Sequence, residues 1–155
     1  MSAMKLYRTA RALHLRGVPV LPRILYRMIY LFHNTHLHYE TQIGRGTHLA
    51  YGGIGVVIHK DAVIGENCVI ESNVTIGGRN NCPRVPVIGD RVFIGSGARI
   101  LGDVHVGSGS VIGANAVVLH DVPPRCTAAG VPARILHTDI EVDEKCNLSD
   151  IVGCG

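Results

Sequence analysis

Nine of the 155 residues are histidine, and two of them, His38 and His59, fall where side chains should point outward from a corner of a repeating backbone. An imidazole near its ordinary pKa is the usual group for taking a hydroxyl proton during attack on an acyl carbon, a contribution of roughly 10²–10⁴-fold. His59 occupies a repeat position that otherwise favours glycine, so its ring is expected to project to solvent. Once a three-residue slip in the repeat is counted, His59 stacks directly above His38. Two imidazoles one strand apart disfavour double protonation, which tends to keep one of them neutral, as a base must be. His59 is therefore the expected base. His36 and His48 are the competing candidates, and an idle surface histidine is the alternative. Tyr51, inside the slip, either hydrogen-bonds a substrate, orients the base or only covers the corner. Gly77 and Gly78 leave backbone N–H groups open for a substrate or for the oxyanion of a tetrahedral intermediate. Arg79 and Arg84 follow on an irregular stretch, where they either bind an anion or stay solvated.

A six-residue period must position these groups. Ile58, Ile64, Ile70 and Ile76 open it, Cys82 sits in phase in an interrupted unit, and Ile88, Ile94, Ile100, Val106, Ile112 and Val118 continue it. Glycine recurs one position later, at Gly65, Gly77, Gly89, Gly95, Gly107 and Gly113. Four positions after the aliphatic stands a small or β-branched residue, as at Ala62, Cys68, Val74, Ala98 and Ala116. No helix has this period. It predicts an all-β solenoid, a parallel β-helix whose short strands coil round an aliphatic core. Three hexapeptides make one triangular coil, so residues about 18 apart stack at one strand spacing, ~4.8 Å.

The coil is expected over residues 35–136, starting near Leu37 with Ile43 and Leu49 in phase. Nine residues rather than six then separate Leu49 from Ile58, which places an insertion at Tyr51-Gly52-Gly53. A second irregularity covers Arg79 to Val87. Loops that leave a regular solenoid are where binding residues usually sit. Residues 1–34 read as an amphipathic helical segment, with helices over 3–16 and 20–33 parted by Gly17, Pro19 and Pro22. Residues 137–155 form an acidic tail, expected to be mobile or loosely packed.

The net charge of +3 hides an asymmetry. Residues 1–34 carry six basic groups and no acid, which leaves nine basic groups against all twelve acids in the remainder. Such a segment fits contact with an anionic membrane surface, and equally a solvated helix face packed on the coil. No nucleic-acid partner is expected. Aromatics are only 5% and tryptophan is absent, as suits a narrow core. Five cysteines without a C-x-x-C pair argue against a disulfide framework or a zinc ribbon. No signal peptide or spanning helix is evident, because Arg23 and Arg27 interrupt the longest apolar run. The expected location is cytoplasmic, peripheral to the inner membrane face if residues 1–34 reach it.

The segments Ile94-Gly-Ser-Gly-Ala, Val111-Ile-Gly-Ala-Asn-Ala-Val-Val and Ala129-Gly-Val-Pro-Ala-Arg134 resemble the hexapeptide acyltransferases. Ile43-Gly-Arg-Gly and Val74-Thr-Ile-Gly-Gly78 extend the likeness, which is closest to the serine acetyltransferase group over residues 43–136. The resemblance implies a left-handed β-helix, a homotrimer and acetyl-coenzyme A bound between neighbouring subunits, with no metal. Left-handedness comes from the resemblance alone, since general crossover rules favour the other hand. It also implies cofactor contacts at Ser96, Ala114 and Arg134, as in the similar galactoside acetyltransferases. Gly77 and Gly78 are counted with that set. Ser96 and Ala114 are 18 apart and would stack as a track for an extended pantetheine, with Arg134 left to pair with phosphate.

The chain departs from the group at two places. Its long N-terminal helical domain is matched by only about 34 residues here. The positions that match the catalytic histidine and its partner aspartate hold Tyr51 and His36. The expected activity is acetyl-coenzyme A-dependent O-acetyl transfer to a hydroxyl, of serine or of a sugar in a capsule or lipopolysaccharide precursor. The rival readings are a trimeric scaffold without activity and a γ-class carbonic anhydrase-like metal site built from His36 and His38.

Overall fold

The computed structural model describes residues 2–80 and 82–140, so most of the expected acidic tail, from residue 141 on, lies outside the described residues. Two helices, α1 (Ala3–Leu15) and α2 (Leu21–His33), precede short strands that wind into three parallel sheets. The chain is a left-handed parallel β-helix. Its first face stacks His36–Leu37, Val57–Ile58, Thr75–Gly77, Arg99–Leu101 and Val117–Val118. The second face stacks Gln42–Ile43, Val63–Ile64, Val87–Ile88 and His105–Val106. The third runs from His48–Leu49 through Val69–Ile70, Phe93–Ile94 and Val111–Ile112 to Thr127–Ala129.

The aliphatic of each hexapeptide fills the prism, and Ile58, Ile70, Ile76, Ile94, Ile100 and Ile112 expose none of their surface. The small residues of the repeat, Ala62, Cys68, Val74, Ala98 and Ala116, are equally enclosed. Cys68 is a packing residue, and burial pushes its thiol pKa up. At the corners an asparagine in the left-handed region covers the glycine of the coil below. Asn67, at φ 54°, lies over Gly46, at φ 75°, where an added Cβ would stand 1.8 Å from its Oδ1.

Register shows both insertions. The first coil pairs His36 with Val57, 21 residues on, so the slip adds three, and the extra residues form the 3-10 turn Ala50–Gly53. The next coil pairs Val57 with Thr75, 18 on. The coil after it pairs Thr75 with Arg99, 24 on. Six extra residues leave that coil just after Gly78, and an antiparallel bridge between Arg79 and Cys82 folds them back.

α1 is capped by Ser2, whose side chain accepts from Lys5 N–H, and its inner face buries Ala3, Met4, Leu6, Tyr7 and Ala10. Polar groups fix it to the first coil. Arg11 donates to the carbonyls of Glu40 and Thr41, each at 2.9 Å, and the Tyr7 hydroxyl also donates to Thr41 O. At the far end Arg134–His137 turns back antiparallel onto Thr127–Ala129, so the third face does not end on a bare edge. Replacement Ile100→Ala, which opens a cavity in a core that cannot collapse, should lower unfolding free energy by about 2–5 kcal/mol in urea denaturation.

Candidate active site

The first rung of each coil delivers a residue to the corner between the first and second faces. His36 pairs with Val57 and Leu37 with Ile58, so His38 and His59 are next in register, as expected. His59 N–H donates to Ile76 O at 2.8 Å, which sets Gly77 on the rung above. His38, His59, Gly77 and Gly78 are therefore brought together on one ladder. Each imidazole is fixed by its own turn: Nδ1 of His38 accepts from Glu40 N–H at 3.3 Å, and Nδ1 of His59 from Asp61 N–H at 3.2 Å. The same nitrogens face carboxylates, Glu40 at 3.6 Å and Asp61 at 3.7 Å. The His-x-acid spacing occurs three times in the sequence, at His38, His59 and His137, and is the signal that could have found Glu40 and Asp61.

The two imidazoles differ in surroundings. The His38 side chain is 22% exposed and that of His59 40%. Burial comes first in holding the His38 pKa below the ordinary histidine value, with help from His36, Lys60 and His14 and opposition from Glu40. The expected cause, repulsion between stacked imidazoles, gives way to desolvation under α2, whose Tyr26 ring sits 5.0 Å from that of His38.

Gly77 and Gly78 also stand apart from other corner glycines. At Gly65, Gly89 and Gly107 a Cβ would meet neighbouring atoms at 2.3–2.6 Å, so packing demands glycine there. A Cβ on Gly77 would meet nothing within 4 Å, and one on Gly78 only Val85 at 4.0 Å. Neither glycine needs a positive φ. Their bareness leaves open space beside His59, but Gly77 is held in the ladder opposite Leu101, so of the two N–H groups expected to be open only that of Gly78 lacks a backbone partner among the described residues. A groove of about 510 Å³ adjoins it, lined by Asp61, Pro83, Arg84, Val85, Asp103 and neighbours. Arg84 reaches into it with its Nε 2.9 Å from Asp103 Oδ2, so this arginine is paired on one side while its side chain stays 76% exposed.

The donor candidates occupy a different corner, between the third and first faces. Ile94 pairs with Ile112, and Asn115 N–H donates to Ser96 O at 2.8 Å, so Ser96 and Ala114 stack as expected. Arg134 lies beside Ala129, one rung beyond, and is exposed. Glu71, missed in the sequence because it lies on another coil, accepts from Ser96 N–H at 2.9 Å and Ser96 Oγ at 2.6 Å. Tyr51 belongs to this corner too, 70% exposed and at φ 51°. Its loop enters the first-face rung Val57–Ile58 at one end and His59 leaves that rung at the other, so the two stand at different corners of the prism. That separation corrects the idea that Tyr51 orients His59 within one chain. The rival base His36 is hydrogen-bonded to the Tyr26 hydroxyl at 2.7 Å, and His48 lies on the third face. Among the described residues no three His, Cys, Asp or Glu side chains converge to hold a metal ion.

Folded His38 holds its proton less tightly than the unfolded chain does, so the unfolded state takes up more protons as pH falls. The stability conferred by neutral His38 is full above the ordinary histidine value of 6.5 and declines as pH drops through the lowered folded one. Urea unfolding from neutral pH to about pH 5 should show falling stability, and His38→Gln should flatten part of that fall.

Comparison with known proteins gives the same picture. The family model for bacterial transferase hexapeptide (six repeats) matches residues 86–120. A serine acetyltransferase of Helicobacter pylori is 39% identical over 139 residues, covering 88% of this chain and 81% of the relative. One from Synechococcus elongatus is 35% identical over 144 residues, covering 91% of this chain but 59% of its own length. The serine acetyltransferase of Brucella abortus solved in complex with coenzyme A superposes with a TM-score of 0.83 at 36% identity, over 90% of this chain and 56% of the other. The chain thus spans little more than half of some relatives and four fifths of another. By identity across nearly all of its length and by a shared coil, it belongs to the serine acetyltransferase-like family of hexapeptide-repeat transferases.

Proposed function

We propose that this protein is an acetyl-coenzyme A-dependent O-acetyltransferase in which an acceptor hydroxyl attacks the thioester directly, without an acyl-enzyme. The ladder of His38, His59 and Gly77 beside an open groove carries the reading. His59 is the base. For its Nε2 to accept the hydroxyl proton, Nδ1 must bear the other, which exchanges the hydrogen bond that Nδ1 accepts from Asp61 N–H for one donated to the Asp61 carboxylate, 3.7 Å away. Neutral His38 beneath spares the imidazolium forming on His59 a like-charged neighbour. The alkoxide adds to the acetyl carbonyl, and the oxyanion faces the N–H of Gly78, which has no backbone partner among the described residues, across the space that the missing side chain of Gly77 leaves. Collapse of the tetrahedral intermediate expels the coenzyme A thiolate, which takes the proton back from His59.

Acetyl-coenzyme A is a co-substrate here, and Ser96, Ala114 and Arg134 form a groove edge that suits an extended pantetheine and a phosphate. That edge lies on a different corner from His59. A donor held on one prism meets the base of the next when prisms pack side by side, which supports a homotrimer with the site between subunits. Exposed apolar Val57 on the first face, with Tyr51 and Ile54 at the corner that leads into it, suits such packing.

Serine is the acceptor named for the relatives. A sugar hydroxyl is the second reading, favoured by the open groove along Pro83, Arg84 and Val85, which does not close round a small acceptor. The deciding experiment is a panel of serine, nucleotide sugars and lipid-linked sugars, followed by release of coenzyme A thiol. Thiol release with no acceptor in the panel would sink the transfer reading. With the active acceptor, His59→Ala should lower kcat by ~10²-fold or more while calorimetry still detects coenzyme A binding. Gly77→Ala should keep the wild-type melting temperature, since its Cβ meets no protein atom, yet lower kcat by at least about tenfold.

A further inference from the structure

The six basic groups of residues 1–34 divide into two sets. Arg8 and Arg11 are spent on carbonyls of the first coil, at Gly44, Thr47, Tyr39, Glu40 and Thr41. Lys5, Arg16, Arg23 and Arg27 are exposed, and none of them joins an ion pair among the described residues. The first acid of the chain is Glu40, so the helical hairpin offers these cations no counter-charge of its own.

Apolar side chains stand on the same surface. α2 buries only Pro22 and Ile29 fully, on its inner side. On the outer side Ile24, Arg27 and Leu31 follow at helical spacing, with Arg23 flanking. Ile24 is 48% exposed, Leu31 76% and Phe32 70%, and Leu15 and Val20 at the interhelix turn expose 71% and 60%. Water gains nothing from such side chains, and a core-facing role is excluded by the inner face already in place. An apolar stripe edged by unpaired arginines, on a segment without acids, matches a bilayer interface carrying negative headgroups. A second copy of the same face would set arginine against arginine. Among the described residues no helix is long and apolar enough to cross a membrane.

We propose that the outer face of α2, with the α1–α2 turn, is a docking surface for a bilayer that carries anionic lipid. The apolar side chains enter the headgroup layer and Arg16, Arg23 and Arg27 pair with lipid phosphates. The inner face of the same helix holds Tyr26 against His36 and His38. The docked helix thus sets the base ladder about one helix diameter, ~10–12 Å, from the headgroups. One consequence rests on the acetyltransferase reading: the acceptor hydroxyl belongs to a membrane-attached molecule.

Vesicle co-sedimentation of the full chain tests the surface without reference to activity. Vesicles of phosphatidylcholine mixed with phosphatidylglycerol should bind the protein at least about tenfold better than phosphatidylcholine alone, with loss at high salt. The double change Ile24→Glu with Leu31→Glu should abolish binding while circular dichroism and melting temperature stay unchanged. Arg23→Gln with Arg27→Gln should weaken it in the mixed vesicles only. Absence of binding to mixed vesicles, or binding unmoved by the double change, would overturn the proposal. So would a lipid-free shift of oligomeric state in sedimentation velocity on making that change, because the face would then be a protein interface.

Discussion

Parallel hydrogen bonding between rungs only two or three residues long is the constraint on which the rest of this structure depends. Each rung must keep its phase, because a slip of one residue would turn an isoleucine out and a polar neighbour into the prism. Extra residues can therefore leave the coil only between faces. Both insertions do so: Ala50–Gly53 at the corner of the third and first faces, and the stretch after Gly78 at the corner of the first and second. Chemistry in such a molecule is confined to corners and to the loops that leave them. The rigid stack beneath supplies what a site needs, which is residues held at fixed height one above another.

The same constraint sorts the glycines. Those at Gly65, Gly89 and Gly107 are where the backbone of the next coil passes too close for a side chain. Gly77 and Gly78 have space above them and no demanding dihedral, so packing does not account for them. They border the imidazole ladder and the groove, and an exposed backbone beside a base is what acyl transfer would use. His38 and His59 share one geometry of ring and backbone N–H, yet only His38 is sunk beneath α2. Fold and helix together turn two equivalent repeat positions into a shielded neutral imidazole and an accessible one.

The helices meet the coil through satisfied polar groups as much as through apolar packing. Arg8, Arg11 and Tyr7 take carbonyls of the lowest coil that no further rung could pair. α1 is thus a cap on the end of the solenoid, which every stacked-repeat protein requires in some form. α2 lies against it with one side free, and the charge left on the hairpin is what the cap does not consume.

The hexapeptide period, by itself, determined the solenoid, its three-sided coil and the stacking of His59 over His38 and of Ala114 over Ser96. Core filling is a property of spacing along the chain, so spacing is enough to reveal it. The three-residue slip was legible for the same reason. The tertiary structure alone decided which corner each group reaches, and so parted Tyr51 from His59 and put Ser96 in the grasp of Glu71. It alone decided that Arg84 pairs with Asp103 and that burial, rather than a second imidazole, leads in lowering the His38 pKa. Those facts rest on contacts between different coils, or between α2 and a coil, where side-chain direction and solvent exclusion are set by packing in three dimensions. No one-dimensional pattern records them.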